Sequence, residues 1–180
     1  MSVRGTILPA ELVAAAIRVV EANRAAGRRI ITAESCTGGL VAAALTEVAG
    51  CSDVVEGGFV TYSNEAKRGF LKVSEDVLDT FGAVSIATAW SMAQGALARS
   101  DADVAVAITG VAGPGGGSTK KPVGTVVFAR AQRGDDPGEV VADVRQFGDL
   151  GRGGIRFQAA LCALDLLMPD RSDTPPDSLP

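Results

Sequence analysis

The run Thr32-Ala33-Glu34-Ser35-Cys36-Thr37-Gly38-Gly39 sets a serine beside a cysteine where an apolar stretch gives way to small residues, in a chain without histidine. A serine hydroxyl is barely ionised at neutral pH. It attacks an amide carbonyl only when a neighbour takes its proton and donors stabilise the oxygen that becomes negative. The missing histidine excludes Ser-His and Cys-His dyads, so the proton must pass to a lysine, a carboxylate or a tyrosine. The segment Tyr62-Ser63-Asn64-Glu65-Ala66-Lys67 offers candidates. Together these residues point to a histidine-free serine amidohydrolase: Ser35 as nucleophile, Lys67 as a base made neutral by burial, and Tyr62 relaying the proton or holding the lysine.

Donors for the oxyanion are expected at the strand-to-helix turn. The N–H groups of Cys36, Thr37, Gly38 and Gly39 would be unpaired there, and two glycines permit close approach of a ligand. Each residue also has a plain structural reading: Ser35 or Thr37 as a helix cap, Lys67 as a solvated helix residue, Tyr62 as a half-buried strand end. Cys36 is a rival nucleophile, or a small buried cysteine. Glu34 either supports the pocket or pairs with an arginine. The glycine-rich loop from Gly110 to Ser118 follows a buried strand, where open α/β sheets place their sites, but it has neither a P-loop ending nor a dinucleotide fingerprint. Arg152 and Arg156 flank the start of the last helix and could hold a phosphate monoester, or simply be solvated.

Composition narrows the classes. A chain of 180 residues, 47% of them apolar, can bury one sizeable core and is short for two domains. Its net charge of −4 argues against a broad nucleic-acid surface. Three cysteines without paired short spacings fit reduced thiols rather than a zinc or redox site, and the carboxylates show no metal-ligand spacing. With no signal core at the start and no apolar run of about 20 residues, a cytoplasmic protein is expected, with no membrane partner.

The elements that must position these groups alternate between helix and strand periods. Leu8 to about Ala26 reads as an amphipathic helix ended by Gly27, and Arg29–Ala33 as a buried strand. Gly38–Val48 reads as a small-residue helix, and Val54–Tyr62 as a strand despite its glycines. Ser63, Ser74 and Ser85 are expected caps for a short helix carrying Lys67 and for helices near Glu75–Thr80 and Ile86–Ser100. Asp103–Thr109 is a further buried strand. Val123–Arg130 and Glu139–Phe147 form an antiparallel hairpin, and Ile155–Leu167 is a last amphipathic helix. The fold class expected is α/β: a single-domain three-layer α/β/α sandwich with a mixed sheet, spanning 8–168 between flexible tails at 1–7 and 169–180.

Five runs, Thr32–Gly39, Gly58–Lys67, Gly82–Ser85, Gly110–Pro114 and Lys121–Val126, closely resemble the CinA C-terminal domain family in content and order. The resemblance covers about Leu8 to Leu167 and implies a compact α/β/α domain. It also implies hydrolysis of the carboxamide of nicotinamide mononucleotide to nicotinate mononucleotide and ammonia, in pyridine nucleotide salvage. The family's serine, tyrosine and lysine fall on Ser35, Tyr62 and Lys67, and its pocket lining on Thr109, Gly110 and the loop through Gly113. The expected substrate-binding set is therefore Cys36, Thr37, Gly38, Gly39, Asn64, Thr109, Gly110, Gly113, Arg152 and Arg156. The family's compact Ser/Phe-Gly-Asp-Arg segment is lengthened here to Phe147-Gly148-Asp149-Leu150-Gly151-Arg152. The chain begins without the large N-terminal domain of full-length members, so a stand-alone amidase form is expected.

The pyridinium charge withdraws electrons from the carbonyl, so this reading calls for no cofactor and no metal; its partners are a small pyridine mononucleotide and, by resemblance, a second copy in a homodimer. A non-catalytic pyridine-nucleotide-binding or competence-associated module, and acyl transfer or hydrolysis of another amide, are the competing readings.

Overall fold

Strand alternation decides the layers in a computed structural model that describes residues 5–136 and 138–170. Most of the two segments expected as tails lies outside these residues. In chain order the elements are α1 (Ala10–Ala25), β1 (Ile30–Glu34), α2 (Leu40–Thr46), a 3-10 turn (Cys51–Asp53), β2 (Val55–Val60), α3 (Asn64–Leu71), α4 (Glu75–Phe81), α5 (Ile86–Leu97), β3 (Val104–Gly110), β4 (Thr125–Gln132), β5 (Val141–Gln146) and α6 (Gly151–Leu166). The strands form one sheet in the order β2-β1-β3-β4-β5. β1 runs parallel to β2 and β3, while β3–β4 and β4–β5 pair antiparallel, so the sheet is mixed as expected.

Successive residues of a strand face opposite sides of the sheet. Val104, Val106 and Ile108 of β3, with Val126 and Phe128 of β4, pack under α1, α2 and α6. Ala105 and Ala107, with Ala129 and Ala131, face Ala89, Ala93 and Ala96 of α5, and α3 and α4 extend that layer. One face is thus filled by large branched side chains and the other by alanines, which let α5 lie close to the sheet.

Glycines mark the tightest approaches. A Cβ at Gly58 in β2 would sit 2.6 Å from Thr32 Oγ1, so the neighbouring strand can carry a hydroxyl at that level. A Cβ at Gly95 would overlap the Leu71 carbonyl, so α5 and the end of α3 touch through backbone. The three serine caps form where expected: Ser63, Ser74 and Ser85 accept from the N–H groups of Ala66, Val77 and Thr88 at 3.0, 3.3 and 3.2 Å.

α2 and α5 end short of expectation, at Thr46 and Leu97, and two helix starts differ for physical reasons. Gly38 and Gly39 have φ of 63° and 91°, so they form a turn and α2 starts only at Leu40. α6 begins at Gly151, four residues before Ile155, although glycines are poor helix formers. Tertiary anchoring outweighs propensity there: Ile155 is fully buried and Arg152 is tied to two other segments. Among the described residues no helix is long and apolar enough to cross a membrane.

Candidate active site

The site grows from the carboxyl ends of the parallel strands. β1 ends at Glu34, and Ser35 follows with its N–H donating to the Ile108 carbonyl of β3 at 2.8 Å. Ser35 is buried, and so is Lys67, at 1% exposure. The lysine lies one turn into α3, which starts at the Ser63 cap and is pinned at its far end by Leu71 against α5. Lys67 Nζ stands 3.0 Å from Ser35 Oγ, 2.9 Å from the Thr61 carbonyl and 3.1 Å from the Tyr62 carbonyl.

That set of partners accommodates either protonation state, since an ammonium can donate to all three oxygens. The two carbonyl oxygens can only accept, whereas the serine hydroxyl can donate. A neutral amine would give its two hydrogens to the carbonyls and turn its lone pair to the Ser35 O–H. Among the described residues no carboxylate hydrogen-bonds the amine, and burial lowers the Lys67 pKa from its ordinary value near 10.5, against smaller raising influences of Cys36 and Glu65. Geometry and burial both suit an amine that takes a proton from an alcohol.

The turn after Ser35 departs from expectation. Of the four N–H groups expected to be unpaired, Gly38 donates to the Ser35 carbonyl at 3.0 Å and Gly39 to Glu34 Oε2 at 3.0 Å. The amides of Cys36 and Thr37 have no acceptor oxygen among the described residues. Glu34 makes the difference. Its carboxylate, fully buried, also accepts from Val41 N–H at 3.2 Å, Ala42 N–H at 2.8 Å and Thr32 Oγ1 at 3.3 Å, and among the described residues it pairs with no arginine. The Cys36 thiol is pushed up to about 11, chiefly by burial, so it is protonated at neutral pH and a poor nucleophile.

Around this centre the remaining predicted residues separate. Arg152, exposed in the first turn of α6, donates to the Gly113 carbonyl at 2.8 Å and to the Tyr62 phenol oxygen at 2.9 Å, clasping the glycine loop to the end of β2. Arg156 donates to the Thr37 carbonyl through Nη2 at 2.7 Å and so braces the turn from behind. Thr109 spends its hydroxyl on the Ala83 carbonyl at 2.8 Å, fastening the loop before α5. Gly110 leaves room for the Thr125 carbonyl, which a Cβ would approach to 2.7 Å. Asn64 is exposed at the start of α3, on the cleft between α3 and α4 lined by Glu65, Arg68 and Glu75. No hydrogen bond joins it to Ser35 among the described residues.

A cleft of about 480 Å³ opens beside Arg152, walled by Ala112, Pro114, Pro122 and Val123 and edged by Asp149. Two features escaped sequence reasoning: the Thr61 carbonyl on Lys67 and the backbone amides that the Glu34 carboxylate accepts from. The first carries no side-chain signal. The second could have been found from strand parity, since Ile30, Thr32 and Glu34 share the face on which α2 lies.

Comparison with known proteins gives a consistent result. The family description "CinA C-terminal domain" matches residues 13–170. The chain is 49% identical over 149 residues to nicotinamide-nucleotide amidohydrolase PncC of Enterobacter agglomerans, covering 82% of this chain and 88% of that protein. It is 52% identical over 143 residues to a CinA-like protein of Mycobacterium avium, covering 79% of this chain but only 33% of that one. It spans about a third of the length of several such longer relatives. Among solved structures, competence/damage inducible protein CihA of Agrobacterium tumefaciens superposes with a TM-score of 0.85 at 50% identity, covering 90% of this chain and 96% of that one. A CinA superfamily protein of Klebsiella pneumoniae gives 0.80 at 39% identity, covering 87% and 94%. On a match that takes in the whole sheet and every residue of the site, the chain belongs to the CinA C-terminal domain family.

Proposed function

We propose that this protein hydrolyses the carboxamide of nicotinamide mononucleotide to nicotinate mononucleotide and ammonia, with Ser35 as nucleophile and Lys67 as general base. The observation that carries the reading is the 3.0 Å approach of the buried Lys67 amine to Ser35 Oγ, its other two contacts being carbonyl oxygens. The name of the Enterobacter agglomerans relative supports the substrate.

In this mechanism neutral Lys67 takes the Ser35 proton as the hydroxyl attacks the carboxamide carbon. The amides of Cys36 and Thr37 receive the oxyanion, and the pyridinium charge favours its formation. Protonated Lys67 then gives its proton to the departing nitrogen and ammonia leaves. Water attacks the acyl-enzyme and gives a proton to Lys67, which passes it to Ser35 Oγ as the acyl–oxygen bond breaks. Tyr62 serves twice, through a carbonyl that orients the amine and a phenol that steadies Arg152. Arg152, exposed at the rim, holds the substrate phosphate; Arg156 keeps the turn in place through Thr37.

Ammonia release from nicotinamide mononucleotide, measured without added metal beside free nicotinamide, tests the reading. Ser35→Ala should abolish release while the circular dichroism spectrum stays native. Turnover retained by Ser35→Ala would exclude Ser35, and nucleotide binding without ammonia release would favour a non-catalytic binding module.

A further inference from the structure

We infer that Glu34 is a positioning residue for Ser35, a role that rests on the nucleophile assignment proposed above. Its carboxylate is fully buried and, among the described residues, has no cationic partner and hydrogen-bonds neither Ser35 nor Lys67. It instead gathers four donors. Oε2 takes Gly39 and Val41 N–H at 3.0 and 3.2 Å; Oε1 takes Ala42 N–H at 2.8 Å and the Thr32 hydroxyl at 3.3 Å. A buried carboxylate persists only where its lone pairs are satisfied, and here both oxygens are.

The placement explains why a charged group is used. Residue 39, which would ordinarily cap α2, is a glycine with φ of 91° and has no side chain to offer. The carboxylate reaches across from residue 34, so the turn from Ser35 to Gly38 is closed as a ring whose two ends are both held by Glu34. This closure consumes the Gly39 amide, while those of Cys36 and Thr37 meet no acceptor oxygen among the described residues and turn toward the Cys36 sulfur. The same residue's main-chain carbonyl accepts the Thr61 N–H at 2.8 Å, and the Thr61 carbonyl in turn holds Lys67 Nζ at 2.9 Å. One residue therefore sets the nucleophile's turn with its side chain and the cradle of the base with its backbone.

A neutral amide cannot reproduce this arrangement. Glutamine would set an NH2 group against two amide donors in one orientation and against the Ala42 N–H in the other, where only the Thr32 hydroxyl can turn to accept, loosening the turn without changing its volume. Two full-chain variants test the idea. Glu34→Gln removes the charge and one acceptor; Thr32→Val removes one donor and leaves the carboxylate in place. For each, kcat and KM for ammonia release are measured with the rate at which a fluorophosphonate modifies Ser35, read by mass spectrometry, after circular dichroism establishes the native fold.

Misplacing a nucleophile by a fraction of an ångström to 1 Å costs up to about 10²-fold, so Glu34→Gln should lower kcat by about 10²-fold with KM within about twofold. Fluorophosphonate labelling should fall in parallel. Thr32→Val should move kcat the same way by a smaller factor, roughly 3- to 10-fold. The pH midpoint of the remaining activity should stay at the wild-type value, because Glu34 does not touch the base.

A folded Glu34→Gln with wild-type kcat and labelling overturns the proposal, as does a rise in KM at unchanged kcat. Should Glu34→Gln fail to fold, Thr32→Val decides alone, and wild-type kcat in that variant overturns it. If wild-type protein releases no ammonia yet Ser35 is labelled, the substrate assignment fails while labelling of the variants still judges Glu34. If wild-type Ser35 is not labelled at all, the nucleophile reading fails and this proposal with it.

Discussion

A lysine amine held by two carbonyls and one hydroxyl is a different reagent from a lysine in water. Burial disfavours the ammonium form, so the folded-state pKa of Lys67 lies below 10.5 and the neutral fraction at a given pH exceeds that of a solvated amine. If neutral Lys67 is the base, kcat/KM should rise with pH along a single ascending limb whose midpoint lies below 10.5 and belongs to this residue. Lys67→Arg should lack that limb, because a guanidinium stays protonated throughout the accessible range. A limb that survives in Lys67→Arg would assign the titration to another group. Cys36 yields a separate expectation: with its thiol pushed up to about 11 and 4% exposed, alkylation by iodoacetamide at pH 8 should spare it and modify the less buried Cys51 and Cys162 first, as peptide mapping would show.

At the scale of elements, α3 is the part that places Lys67 against Ser35, and it is anchored at both ends. Removing the Ser63 cap by Ser63→Ala should destabilise the protein by about 1 kcal/mol in urea unfolding. It should also lower turnover, because Lys67 lies one turn further on. Gly95→Ala places a methyl against the Leu71 carbonyl, where backbone rather than a flexible side chain must yield, so a loss of about 3 kcal/mol is expected, with a matching fall in melting temperature.

These elements were readable from the chain because their signals are local. Serine caps, the apolar run of β3 and the turn between β4 and β5 each announce themselves within a few residues. The start of α6 was not, because Gly151, Gly153 and Gly154 vote against a helix that Ile155 and Arg152 secure from outside it. The clasp of Arg152 on Tyr62 and Gly113 joins positions 90 and 39 residues apart, which no local pattern reports. The sequence pointed to four free amides after Ser35 and left open whether Glu34 serves the pocket or an arginine; in the structure Gly38 and Gly39 are paired, and the Glu34 carboxylate takes backbone amides and the Thr32 hydroxyl.

For the molecule as a whole, a buried amine makes stability depend on pH in a definite direction. The unfolded chain binds a proton at Lys67 up to about pH 10.5, the folded chain only to a lower pH, so between the two the unfolded state holds more protons. Stability therefore rises with pH across that window and falls as pH drops through the folded pKa. Lys67→Met should flatten this slope in denaturant titrations run at several pH values, whatever it does to stability at any one of them.

The sheet order carries one more consequence. β2 lies at a border of the sheet, with hydrogen bonds to β1 on one side only, and its end supplies the carbonyls that hold the amine in place. Edge segments open at lower free energy than the middle of a sheet. Rising urea should thus abolish the proposed ammonia release while β1, β3 and β4 remain folded, so the inactivation midpoint should precede the loss of helical ellipticity. Dilution should restore turnover at the speed of a strand settling back rather than of a chain refolding.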